Sequence, residues 1–156
     1  MHIALYQPDI PQNTGTILRL GACMGVSVSI IEPCGFPFSD RGLKRAGMDY
    51  LAQADISRHE SWEAFLAARP PQSRLVLATT RGGLPYTEFS FARDDILLLG
   101  RESAGVPEAV HNVADARLIV PMRAETRSLN VALAAAMILG EALRQTSQFP
   151  ASPPCA

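Results

Sequence analysis

Residues 96–107 read ILLLGRESAGVP, four aliphatic residues that run straight into a glycine, a charged pair and a second glycine. An apolar run that does not alternate with polar residues marks a strand covered on both faces, as in a parallel sheet. Gly100 and Gly105 keep side chains off the loop that this strand feeds, so that something can approach its backbone closely. Crevices at the carboxyl ends of parallel strands are where α/β proteins bind ligands. Taken alone, the stretch reads more simply as an ordinary strand-to-helix turn with Ser103 as a helix cap.

On either side, strand-like and helix-like segments alternate. Residues 2–6, 26–31, 54–57, 75–79 and 117–120 read as further strands, and 13–24, 62–68, 107–112 and 128–145 as helices. Asn13 or Thr14 is placed to cap the first helix, which Gly25 ends, and Ser61 to cap the second. Residues 40–46 read as a short basic helix, and Arg81-Gly82-Gly83 as a mobile turn. The last helix, SLNVALAAAMILGEALRQ, is alanine-rich and apolar on most faces up to Gly140, so it must be buried or packed against a partner chain. This alternation predicts an α/β fold, a mainly parallel sheet with helices on both faces. One domain is expected over 1–145, with a disordered tail at 146–156 that holds Pro150, Pro153 and Pro154 and has little to bury.

The 156 residues suffice for one real core, and no apolar run approaches the length of a membrane helix. The N-terminus, MHIALYQPD, has no basic region before its aliphatic residues and reads as a first strand, so a cytoplasmic protein is expected. Cys23, Cys34 and Cys155 form no C-x-x-C pair, and His2, His59 and His111 are scattered, which predicts neither a disulfide framework nor a metal site. A net charge of -1 gives no global attraction for nucleic acid. Local basic groups exist at Arg41, Lys44 and Arg45, and at Arg117, Arg123 and Arg127, although such groups are usually solvated faces.

Several chemistries are disfavoured. The first strand is followed by QPDIPQNTG, not G-x-G-x-x-G, and no G-x-x-x-x-G-K-[ST] occurs, which argues against dinucleotide and P-loop sites. Glycine stands three residues before Ser103, not two, so the nucleophile elbow of a hydrolase is missing. Two further segments carry polar groups at helix mouths. In the first, Pro11 to Arg19, Asn13 sits at a helix start and Arg19 almost two turns on; in the second, IVPM precedes TRSLNV, with Ser128 and Asn130 entering the apolar helix. Either segment alone reads as helix capping.

Taken together, in this order, P-x-N-x-G-x-x-x-R at 11–19, LLLGRESAGVP at 97–107, and IVPM with RSLNVALAAAMIL at 119–139 resemble the three motifs of the SpoU-TrmD (SPOUT) RNA methyltransferases. The motifs span almost the whole chain and leave no room for an extra RNA-binding domain. With LYQPDIPQNTG and IIEPCGFPFSDRGLKRAGMDY, the chain is similar to the minimal bacterial members that act on the tRNA wobble nucleotide. The resemblance implies a deep trefoil knot in the C-terminal part, which chain-topology rules would not propose. It also implies a homodimer, S-adenosylmethionine as cofactor, no metal, and the tRNA anticodon stem-loop as partner. For this chain it implies cofactor contacts at Ala78, Gly100, Val120 and Ser128, and a reacting site of Arg19, Asn13, Glu102 and Asn130. The glycines are then expected to let adenine and ribose press against the main chain. Guanidinium stays protonated in almost every protein setting, which favours Arg19 as a clamp on phosphate and ribose and leaves the proton acceptor open. Two rival readings stand: methylation at another tRNA or ribosomal RNA position, and an RNA-binding module without catalysis.

Overall fold

The computed structural model describes residues 1–38 and 53–151. The expected basic helix at 40–46, with Arg41, Lys44 and Arg45, lies outside the described residues, as do Cys155 and the rest of 152–156. In chain order the elements are β1 (His2–Tyr6), α1 (Pro11–Met24), β2 (Ser27–Ile31), β3 (Ile56–His59), α2 (Trp62–Ala68), β4 (Leu75–Ala78), β5 (Leu84–Pro85), a 3-10 turn (Tyr86–Glu88), β6 (Ile96–Leu99), α3 (Glu108–Val113), β7 (Ala116–Ile119) and α4 (Val131–Thr146).

The strands form one sheet in the order β3-β2-β1-β6-β4-β7-β5, and every pairing in it is parallel. Strand β6, the ILLL of the sequence, lies between β1 and β4 and is buried along its whole length. Its Leu97 and Leu99 join Ile17 and Leu18 of α1 and Ala135, Ile138 and Leu139 of α4 in one core. Ile96 and Leu98 point the other way, into a second core with Phe65 of α2 and Val110 of α3. The lack of alternation in the sequence therefore reports helices on both faces. Each such buried aliphatic side chain is worth about 2 kcal/mol.

Strands β1, β2 and β3 step outward in one direction, and the chain then crosses to β4 on the far side of β6. The strand order reverses at β6, and ligand crevices in such sheets open at the carboxyl ends of the strands beside that point. The sheet is parallel, so the loops leaving β4 and β7 emerge at the same edge.

Several boundaries differ from the sequence reading for identifiable reasons. Helix α1 begins at Pro11, whose fixed φ suits the first helical position, with Ile10 as a cap that makes no side-chain bond. Neither Asn13 nor Thr14 caps it; both lie inside the helix, where the Thr14 hydroxyl bonds back to the Ile10 carbonyl at 3.3 Å. Helix α4 begins at Val131, not near Ser128, because the Asn130 carboxamide accepts from the Ala132 and Leu133 amides at 2.8 and 3.4 Å. Ser128 thus belongs to the preceding loop. Strand β3 lies two residues beyond the expected 54–57, and the two-residue edge strand β5 had no alternating pattern to reveal it. Ser61 does cap α2, accepting from the Ala64 amide at 3.1 Å.

The histidines are less scattered than their sequence positions suggest. Parallel pairing of β1, β2 and β3 brings the Ser29 hydroxyl to 2.8 Å from His2 Nε2 and 3.0 Å from His59 Nε2. Burial there pushes the His2 pKa down to about 4. Helix α4 buries Ala132, Ala135, Ile138, Leu139, Ala142 and Leu143, but leaves Leu133 and Met137, one turn apart, 58% and 42% exposed. No helix among the described residues is long and apolar enough to cross a membrane.

The loop entering β6 is anchored by Asp95, a buried carboxylate that accepts from Arg74 Nε and Nη2 at 2.7 Å each and from the Ala92 amide at 2.7 Å. A hydrogen bond to a charged group is worth about 1.5 to 3 kcal/mol, and Arg74, 41% exposed, is rehydrated when its partner is lost. Asp95→Ala is expected to lower the unfolding free energy by roughly 2 kcal/mol, measured by urea denaturation of the two proteins side by side.

Candidate functional site

The loops that leave β4, β6 and β7 and the mouth of α1 enclose a cleft of about 1060 Å³. Leu77, Leu99, Leu118 and Ile138 give it an apolar lining. Ala78 ends β4, Gly100 follows β6 directly, Val120 follows β7, and Ser128 lies in the loop that leads to α4; all four line the cleft. Asn13, Glu102 and Asn130 line it as well. Seven of the eight residues singled out in the sequence thus meet in one place.

Arg19 is the eighth and does not line this cleft. Six residues along an α-helix amount to about 9 Å of rise and about 240° of rotation, so Asn13 and Arg19 cannot share one face. Arg19 is exposed on α1.

The polar residues are joined by a continuous set of hydrogen bonds. Asn13 Nδ2 donates to Glu102 Oε1 at 3.3 Å, and Asn13 Oδ1 accepts from Asn130 Nδ2 at 2.9 Å. Asn130 Oδ1 in turn caps α4. Because α1 starts two residues before Asn13, this side chain is free of capping and ties the loop after β6 to the mouth of α4. Glu102 Oε2 accepts from the backbone amide of Asp9 at 2.8 Å.

Asp9 was not singled out in the sequence. Its carboxylate accepts from Arg101 Nε and Nη2 at 3.2 and 2.8 Å, from the Ser103 amide at 3.2 Å, and from the Ser103 hydroxyl. The Arg101 guanidinium, with help from Ser103, holds the Asp9 pKa at about 2. No spacing rule pairs an acid in a proline-rich loop with residues more than ninety positions away; only the β1–β6 pairing does so. Ser103 is accordingly not a helix cap: α3 starts later, after Pro107, and the Ser103 hydroxyl is used by Asp9.

The two glycines have a conformational reason within the loop itself. A Cβ on Gly100 would stand 2.6 Å from the backbone carbon of Gly105, because the loop closes on itself through the Arg101 and Gly105 amides and carbonyls at 2.9 and 2.8 Å. Gly105 has φ of 66°, in the left-handed region. Both positions therefore shape the loop itself. Of the second basic group, Arg123 and Arg127 line the cleft, whereas Arg117 on β7 donates from Nε to the ring and carbonyl of His111 at 3.2 and 3.0 Å.

The model of the SpoU rRNA methylase family matches residues 1–140. The chain belongs to this family. A SpoU-family relative from Beijerinckia indica, named tRNA (cytidine(34)-2'-O)-methyltransferase, is 65% identical over 144 residues, covering 92% of this chain and 90% of that protein. A solved structure described as giving insight into the 2-OH methylation of C/U34 on tRNA is 42% identical, with a TM-score of 0.88, covering 92% of this chain and 94% of its own. An AdoMet-bound rRNA methyltransferase from Sinorhizobium meliloti is 29% identical with a TM-score of 0.81, covering 92% of this chain and 55% of its own. The α/β parallel-sheet fold of SpoU methylases is thus established for the chain.

The Asp9 network makes a pH prediction with a definite sign. The Asp9 pKa lies near 2 in the fold against an ordinary 3.8, so its contribution to stability is present above about pH 4 and is lost as pH falls towards 2. Glu141, held to about 2 by Arg144 and Gln145, titrates in the same window. Thermal melts of wild type and Asp9→Asn between pH 6 and pH 2 are expected to differ most at the upper end and to converge towards the lower.

Proposed function

We propose that this SpoU methylase transfers the methyl group of S-adenosylmethionine to the ribose 2'-hydroxyl of the wobble nucleotide, cytidine or 5-carboxymethylaminomethyluridine, in tRNA anticodon loops. The observation that carries the reading is the meeting of Asn13, Glu102, Ser128 and Asn130 in one cleft of a chain 65% identical to a relative with that name. The rival reading of a module without catalysis leaves this joined set of polar groups without a use.

The cleft suits the cofactor. Its lining residues Ile10, Met122 and Leu129, each more than a third exposed, offer apolar surface for a flat base, and the carboxamides, Ser128 and Glu102 at its rim offer partners for ribose and amino-acid groups. Sites for molecules of this size run from about 300 to about 1000 Å³. At about 1060 Å³ the cleft leaves room for a substrate ribose beside the cofactor. Ala78, Gly100, Val120 and Ser128 would hold S-adenosylmethionine, with the Gly100–Gly105 loop shaped to offer its main chain. When bound, that group supplies an electrophilic methyl carbon on a sulfonium.

The chain's own part is to bring the hydroxyl into line with that carbon and to exclude water. Fixing two reactants in a near-attack geometry is worth about 7 kcal/mol or more. Asn13 and Asn130, already fixed against each other, orient the ribose, and Glu102 sets the polarity of the rim. Arg19 stands outside the cleft of its own chain, so its role is that of a clamp on RNA reached across a homodimer. The exposed Leu133 and Met137 of α4 support that assembly, since α4 packs beside α1, which carries Arg19. Arg123 and Arg127 line the cleft and are basic groups available to the RNA backbone there. The reading further places the protein in the cytoplasm, with one domain over 1–145 whose C-terminal part is knotted.

Incubation with labelled S-adenosylmethionine and tRNA lacking the modification is expected to place the label on the ribose of nucleotide 34. Label at another position transfers the reading to a different RNA site, and no transfer with intact cofactor binding leaves the non-catalytic rival. Arg19→Ala is expected to cut transfer at least a hundredfold with an unchanged melting temperature; turnover near that of the wild type removes Arg19 from the reaction.

A further inference from the structure

Three consecutive residues of the loop after β6 are anchored on one residue of the loop after β1. The Asp9 carboxylate takes Arg101 and both donors of Ser103, and the Asp9 amide takes the carboxylate of the intervening Glu102. Arg101 and Ser103 are pinned on one side of the peptide and Glu102 on the other, so the loop has little freedom to swing Glu102 out of the cleft. Asp9 itself does not line the cleft. Its carboxylate is also spent on neutralising Arg101: the pair lies at 2.8 Å, with Asp9 the more buried partner. Among the described residues, the one carboxylate left lining the cleft is that of Glu102.

We propose that Asp9 is a positioning residue for the methyl-transfer reaction, acting through Glu102. Its carboxylate holds Arg101 and Ser103 on either side of Glu102 and so keeps Glu102 seated on the Asp9 main-chain amide; through the Glu102–Asn13–Asn130 bonds this sets the spacing between the cofactor loop after β6 and the ribose-orienting carboxamides. Asp9 contacts neither reactant. Loss of its side chain therefore acts on turnover and on cofactor affinity, while tRNA affinity, which an unpaired Arg101 at the cleft can only favour, does not fall. This inference rests on the methyltransferase reading above.

The test is a double-mutant cycle of Asp9→Ala and Glu102→Gln, with Asp9→Asn as the variant that keeps the side-chain volume. Direct titration with S-adenosylmethionine, tRNA binding, and kcat per folded protein are measured for each. Asp9→Ala is expected to lower kcat about a hundredfold and weaken cofactor binding about tenfold, Asp9→Asn to do so less, and tRNA affinity not to fall. In the Glu102→Gln background the same Asp9→Ala change is expected to cost less than threefold, because residues in one hydrogen-bond network couple strongly. Additive effects in the cycle, or a loss in Asp9→Ala that disappears once activity is expressed per folded molecule, overturn the proposal. Cofactor affinity is read without RNA, so the cycle can be closed on it even if tRNA proves not to be the substrate, and the two failures are distinguished.

Discussion

Strand β6 has no exposed face, and the rest of the molecule follows from that constraint. A strand whose four side chains are all buried needs a helical layer on each side of the sheet and a neighbour along each edge. Helices α1 and α4 supply one layer and α2 and α3 the other, and β1 and β4 supply the edges. Strands linked through such helices run parallel, and parallel strands end at the same edge. The cleft exists because four loops are delivered to one rim by this requirement. The strand order reverses around β6, which separates the loops enough for a ligand-sized crevice between them.

On that rim, polar groups far apart in the chain are made mutually dependent. Asn130 caps a helix and holds Asn13; Asn13 holds Glu102; Glu102 holds the amide of Asp9, whose side chain holds Arg101 and Ser103. Each hydrogen bond in such a set is worth only about 1 kcal/mol. Their joint effect is geometric, since none of the three loops can move without breaking bonds to another. A reaction that needs in-line approach of two reactants profits from that rigidity more than from any single strong contact.

The distribution of charge shows where a chain of net charge -1 could hold the polyanion proposed as its partner. Arg58, Arg69, Arg74, Arg81, Arg101 and Arg144 are each paired with a carboxylate. None of the ion pairs among the described residues involves Arg123 or Arg127, which line the cleft. Paired guanidiniums stabilise loops and contribute little outside field, so the charge that counts for RNA is local. Whole-chain charge was for that reason a poor guide to partner.

Much of the architecture was legible in the amino-acid order because burial leaves a periodic trace. The unbroken ILLL, the alternation of strand and helix patterns, the Ser61 cap and the three motifs in order led to the parallel α/β fold and to the family. Six of the seven candidate residues that meet in the cleft lie in those motifs, and the seventh, Ala78, was implied by the family resemblance at the end of a strand. What the order could not carry were contacts created by strand pairing. Asp9 has no local signature, and its partners lie more than ninety residues away. Asn13 resembled a cap until Pro11 was seen to start the helix, and His2 and His59 resembled isolated residues until β2 placed Ser29 between them. Arg19 shares a motif with Asn13, yet helical rotation takes it off the cleft. Side-chain chemistry is local and can be read along the chain; which groups share a cleft depends on register between distant strands, and that is decided only when the sheet is assembled.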